Sequence, residues 1–291
     1  MQTDHPTSAH ERHRKHTAIS GSRRSLSASL AEQWTYRELL YFFVWRDVKI
    51  RYKQSVVGVG WSILQPLALM LVFTLFFGRV AHVSTSSLPR PLFYFAGLLP
   101  WTYFQQALSN SSNSLVTNTQ LVGKVYFPRV MLPISSVLSS LVDFAISLPM
   151  LVGLAVIYVL RDTPHVRLGF RMLFLVVPIT LMIASVLALG IWLSALNARY
   201  RDVRYAVPFA LQFWLFVSPI AYPTSAIPAR WRVLYDINPI ADVADGFRWA
   251  FTDHAIQLTY GFILASVLVT FGIFFGLRSF RKWEGTVADV I

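Results

Sequence analysis

The sequence predicts an all-α membrane protein: six transmembrane helices with an N-terminal amphipathic helix at the interface. Three observations lead there. Hydrophobic residues make up 55% of the 291 positions and charged ones only 14%, against about 25% charged in a soluble domain. Six apolar stretches approach the roughly 20 residues a helix needs to cross a bilayer. The basic residues gather in the N-terminal quarter and between those stretches, as membrane flanks do. The net charge of +12 is thereby accounted for, and no nucleic-acid partner is expected. With no cysteine in the chain, disulfides, thiolate metal sites and cysteine nucleophiles are excluded.

Residues 1–33 are rich in Ser, Thr, His and Arg and read as a disordered, basic, cytoplasmic tail. His5, His10, His13 and His16 suit either a metal or a plain solvated tail. No apolar core of signal-peptide length occurs in the first thirty residues. Ordered structure is expected from Trp34. In the helix that follows, Tyr41, Trp45, Val48 and Tyr52 form an apolar stripe at helical spacing, beside Arg46, Lys49 and Lys53. Such a helix lies in the headgroup layer, either as a simple anchor or as a docking element.

The predicted spans are residues 57–78, 92–115, 134–160, 173–196, 205–222 and 258–277. The second is polar in its latter half. Pro208 and Pro219 are expected to kink or break the fifth. With both termini cytoplasmic, eighteen Lys and Arg lie inside and eight outside, which favours that orientation. Residues 223–252 are too long for a turn and too mixed for a span. Asn238-Pro239 opens an expected amphipathic helix over 239–251 at, or dipping into, the outer face. Asp236, Asp242, Asp245 and Asp253 there suit capping and pairing with Arg230, Arg232 and Arg248.

Several features bear on function. Gln106, Asn110, Asn113 and Thr117 share a narrow arc of the second span. Amides facing hydrocarbon are costly, so the arc faces either a water-lined path or another helix. Asp143 is the one acid deep inside a span; it is either functional or satisfied by Ser139, Ser140 and Ser147, with no base in view at its depth. Tyr94, Trp101 and Phe104 share a side of the second span, and an aromatic-lined path suits sugar rings. The loop Asn118–Pro133 is apolar, aromatic and basic at once, as a loop entering a partner's groove would be, or one folded on its own helices. Gly123-Lys124 fails the phosphate-loop pattern on both sides. No zinc motif, nucleophile elbow or poised carboxylate pair appears, so no catalytic or metal-binding residue is assigned.

Taken in order, Arg46-Asp47-Val48-Lys49-Ile50-Arg51-Tyr52-Lys53-Gln54-Ser55, Gly58, Trp61 and Leu64-Gln65-Pro66-Leu67 resemble the membrane subunit of type-2 ABC exporters for polysaccharides. Gly97-Leu98-Leu99-Pro100-Trp101, Val125-Tyr126-Phe127-Pro128-Arg129, Asn197-Ala198-Arg199-Tyr200-Arg201-Asp202-Val203, Asn238-Pro239 and Trp283-Glu284 continue the likeness from Trp34 to the end. The resemblance implies that residues 34–291 form one transmembrane domain, paired as a homodimer in the bacterial inner membrane. It implies two separate ATP-binding subunits that hold ATP and Mg²⁺, so that this chain needs no cofactor. The cargo implied is an undecaprenyl-linked glycan of O-antigen, capsule or teichoic-acid type. It places an interface helix around residues 34–53, a coupling helix around 121–129 and short re-entrant helices before the last span. Coupling to the ATPase would then fall to Arg46, Asp47, Arg51, Lys124, Tyr126, Phe127, Pro128 and Arg129. The substrate path would draw on Gln106, Asn110, Asn113, Tyr94, Trp101 and Asp143. A drug or lipid exporter of the same architecture, or a membrane enzyme of glycan assembly, is the alternative.

Overall fold

A computed structural model of the chain describes residues 36–53, 58–83, 85, 88–124, 127–252 and 260–290. The histidine-bearing tail, Tyr126 and Asp253 lie outside the described residues. The helices are α1 Arg37–Lys53, α2 Gly60–Phe73, α3 Arg90–Thr117, α4 Thr119–Lys124, α5 Met131–Leu160, α6 Val176–Arg199, α7 Val203–Val217, α8 Ala229–Asp236, α9 Pro239–Trp249 and α10 Tyr260–Val290. A π-helical segment, Thr74–Val80, prolongs α2, and a 3-10 segment, Phe170–Leu175, leads into α6. An isolated antiparallel bridge joins Val166 to Thr252.

Among the described residues, four helical stretches are long and apolar enough to cross a membrane: Gly60–Val80, Met131–Leu160, Phe170–Arg199 and Tyr260–Trp283. The two further predicted spans fall short for different reasons. α3 has the length, 28 residues, but its second half carries the amide stripe. α7 ends after 15 residues, about 22 Å at 1.5 Å per residue, whereas the span expected from apolar composition runs on to residue 222. Pro219 explains the early stop. A residue before proline is driven out of the helical region, and Ser218 is extended at φ −85°, ψ 146°. The last helix does the opposite and continues well beyond residue 277, to Val290.

α3 sits at the centre. All ten residues from Leu92 to Trp101 are buried, the mark of a helix surrounded on every side. It packs against α2, α5, α6, α7 and α9. Its crossing with α6 is close because Gly190 has no side chain: a Cβ there would stand 2.5 Å from Ser111 Oγ. Small residues at such crossings let helix backbones approach within a bilayer.

A second, smaller core lies at the other end of α3. Phe43 of α1, Leu115, Val122 of α4, Phe127, Val130, Met131, Ile191 and Phe280 of α10 pack together. α1 lies along α5 with Phe43 buried. The first half of its predicted apolar stripe turns outward, leaving Tyr41 72% and Trp45 47% exposed, while Val48 and Tyr52 are half-buried.

Candidate functional site

Asp143 lies twelve residues into α5, about 18 Å along the helix. An ionised carboxylate is costly in an apolar slab unless paired and hydrogen-bonded. The nearby serines do not do this. Ser139 and Ser140 donate back to the Ser136 carbonyl at 3.1 and 2.9 Å, as serines in membrane helices commonly do. Ser147 donates to the Asp143 backbone carbonyl at 3.0 Å and to the Ser62 carbonyl at 2.5 Å.

The partner base that the sequence did not reveal is Arg51. The end of α1 brings its Nη1 onto Asp143 Oδ2 in an ion pair. Tyr52 Oη donates to Oδ1. Ser62 Oγ of α2 donates to Oδ1 at 2.7 Å, and Gln106 Nε2 of α3 reaches Oδ2 at 3.3 Å. One carboxylate thus collects donors from α1, α2 and α3. Arg51 and Tyr52 are neighbours on one helix end, so α1 is fastened twice.

Beside this hub lies a cavity of about 160 Å³. Arg51, Asp143, Gln65 and Gln106 supply its polar wall, and Trp61 and Tyr103 its aromatic one. Helical spacing puts Tyr52 on an apolar stripe and by itself gives Ser62, Gln65 and Trp61 no role at a polar site. Two polar residues in the first turns of an otherwise apolar span were the available signal.

Below the cavity the amide stripe is zipped to its neighbours. Asn110 Nδ2 donates to Ser140 Oγ at 3.4 Å, and Asn197 Nδ2 of α6 donates to Asn113 Oδ1 at 3.0 Å and the Ser112 carbonyl at 2.9 Å. Of the stripe, Gln106 alone lines the cavity; Asn110 and Asn113 join helices. Tyr94 and Trp101, expected on a path, are buried at 0% and 2%. Tyr94 packs edge-on against Phe73 and Phe93, and Trp101 donates to Gln105 Oε1 at 3.1 Å. The first half of α3 is enclosed, so an aromatic face there has no free side.

The expected coupling residues separate similarly. Arg46 pairs with the adjacent Asp47 at 2.8 Å and lies 5.1 Å from the Phe43 ring centre. Phe127 is assigned to coupling by the resemblance, on a loop suited either to a partner's groove or to its own helices. It is 4% exposed and meets Phe43 edge-on at 5.4 Å, so the loop folds on its own helices there. Lys124 is exposed, and Pro128 and Arg129 are half-buried. Arg51 faces inward to Asp143 rather than outward.

A second charged cluster closes the opposite end of α3. Arg248 of α9 is 6% exposed. Its Nη1 donates to the Pro219 carbonyl at 2.6 Å and pairs with Asp245 at 3.2 Å; Nη2 donates to the Ile220 carbonyl at 2.9 Å and Nε to that of Phe93 at 3.4 Å. The guanidinium stacks 3.7 Å from the Phe93 ring centre. Gly97 makes room, since a Cβ there would stand 2.9 Å from Arg248 Nη2. Asn238 caps α9, accepting from Ile240 N at 3.2 Å and Trp214 Nε1 at 3.1 Å while donating to Ser218 Oγ at 2.9 Å. Asp242, nearly two turns before Arg248, has a buried Oδ2 without a partner among the described residues. Burial, then the nearby charges of Asp245 and Asp236, push its pKa up to about 7. Among the described residues no three His, Asp or Glu side chains converge as metal ligands.

Comparison with known proteins gives these features a setting. Residues 38–252 match the ABC-2 type transporter family. The chain is 33% identical over 228 residues to the O-antigen export system permease protein RfbA of Myxococcus xanthus, covering 77% of this chain and 84% of that protein. It is 28% identical over 263 residues to a protein of the same name in Klebsiella pneumoniae, covering 87% and 95%. The polysialic acid transport protein KpsM of Escherichia coli is 24% identical over 244 residues, covering 82% and 91%.

Proposed function

The chain belongs to the ABC-2 type transporter family, and from that premise we propose that it is the membrane subunit of an ATP-driven exporter. Its cargo is a lipid-linked polysaccharide moved outward across the bacterial inner membrane. The observation that carries this reading is its likeness, across most of the chain, to permeases of two polysaccharide systems, O-antigen and polysialic acid. The polar, aromatic-edged cavity within the apolar bundle supports it. ATP and Mg²⁺ belong to two ATP-binding partner subunits, as the family implies.

In this reading the chain crosses six times, with α3 as second span and the short α7 as fifth. α8 and α9 re-enter from outside, and both termini are cytoplasmic. Two copies pair, and the outward ring face of α7, with Phe209, Phe213 and Phe216 exposed, supports a partner or lipid there. α1 is the interface helix. It touches Phe127 through Phe43 at one end and Asp143 through Arg51 at the other, eight residues or about 12 Å apart. A push on the loop bearing Lys124, Tyr126, Pro128 and Arg129 is thereby passed along α1 to the wall of the cavity formed by Gln106 and Asp143. Deleting the gene should leave lipid-linked glycan in the cytoplasm and none on the surface, with rescue from a plasmid. An unchanged surface glycan would remove the cargo assignment.

A further inference from the structure

Arg51 and Arg248 both meet carboxylates inside the bundle, and only Arg248 has its hydrogen bonds filled. Arg51 spends Nη1 on Asp143 and, at 3.5 Å, on the Ser139 carbonyl. Among the described residues its Nε and Nη2 meet no acceptor. The side chain is 26% exposed where Asp143 is 11%, so the cation stands toward the cavity and the carboxylate stands behind it. Both Asp143 oxygens are occupied by donors from Arg51, Tyr52, Ser62 and Gln106, which damps its repulsion of a second anion.

A second hollow adjoins the cavity across Tyr52. Lys49 and Lys53 are exposed on the same helix end. With Trp45, Val48 and Tyr52 they line a shallow cavity of about 370 Å³ that shares Tyr52 with the first. Lys49 Nζ lies 4.3 Å from the Trp45 ring centre. Lys49 and Lys53, each two residues from Arg51, lie on the other face of α1 and open onto this second hollow, not onto Asp143. A guanidinium with a free edge matches the paired oxygens of a phosphate.

We propose that the free edge of Arg51, at the mouth of the cavity of about 160 Å³, forms a binding site for the phosphate or pyrophosphate group of an amphiphile. The site stands on this geometry. Its identification with the export substrate's isoprenoid carrier, rather than with bulk anionic lipid, rests on the proposed function. The phosphoryl group sits at the mouth beside Arg51, and a first sugar ring meets Trp61 and Gln65 within.

The test uses the full chain in phosphatidylcholine nanodiscs, read by tryptophan fluorescence. Undecaprenyl pyrophosphate should bind at least tenfold more tightly than undecaprenol, and Arg51→Gln should abolish that preference. Arg51→Lys keeps the charge without the fork and should lose at least threefold; it carries the test if Arg51→Gln does not accumulate. Full competition by phosphatidylglycerol at equal mole fraction supports the site as one for lipid headgroups, and its failure to compete supports the carrier. Equal binding of undecaprenol, or unchanged binding in both Arg51 variants, overturns the site. Surface glycan scored separately in the deletion strain tells failure of the site from failure of the export reading.

Discussion

Arg51 and Arg248 are the same side chain put to opposite uses. Each pairs with an aspartate in the helical bundle. Arg248 donates from all three nitrogens to main-chain carbonyls or Asp245 and is stacked on Phe93. Arg51 bonds through one nitrogen and borders a cavity. The first arrangement holds one conformation, because any displacement strands several carbonyls at once. The second holds helix ends together yet leaves donors for something that comes and goes. What separates a staple from a usable site is thus how completely hydrogen-bonding capacity is filled, and burial follows from that.

The widest gap between the two regions should appear in stability. Arg248→Met leaves the carbonyls of Phe93, Pro219 and Ile220 without their donor, at about 1–3 kcal/mol each. Its yield in membranes should collapse, and its Tm in detergent should fall further than for any single change at Phe127, Asp143 or Asp242. Phe127→Asp comes next. It puts a charge into the small core around Phe43 and should cost several kcal/mol, measurable as loss of folded protein, whereas Lys124→Ala should fold normally and lower only ATPase stimulation in the assembled transporter. Asp143→Asn should cost less than either, on the order of 1–3 kcal/mol, because Arg51 keeps access to the cavity. Were Asp143→Asn to destabilise more than Arg248→Met, the contrast between the two arginines would be broken.

The smallest effect depends on pH. Asp242 titrates at about 7 in the fold against an ordinary 3.8. Between those values the folded chain holds a proton that the unfolded chain has released. Stability therefore falls as pH rises through that window and levels off above 7. Asp242→Asn should raise Tm at pH 8, raise it less at pH 5, and leave it near the wild-type value only below pH ~4. An equal shift at all three would mean that the charge is not the cause.

Much of the fold was legible because helices in a bilayer satisfy their own backbones, so apolar length reports them directly. The first, third, fourth and sixth stretches correspond to helices within a few residues at most of their ends, save that the last runs on to Val290. The fifth was overextended because apolar composition continues past Pro219 while the backbone does not. The site was legible in its acid and one amide, Asp143 and Gln106, both unusual in apolar runs. Arg51 reads in sequence as one more basic residue of an interface helix, facing outward. Nothing in spacing reveals that residues 92 apart share a bond. Tyr94 and Trp101 are enclosed, and the converse reason hid that: an aromatic face in sequence says nothing of whether a neighbouring helix covers it.

By itself the sequence determined that this chain is helical and made for a membrane, and it carried motifs sufficient to place it among polysaccharide export permeases. Those properties follow from local composition and from ordered short patterns. Only the tertiary structure decided which polar groups are spent and which are left over. That depends on which helix faces approach one another, and the convergence of three helices on Asp143 is a fact of packing.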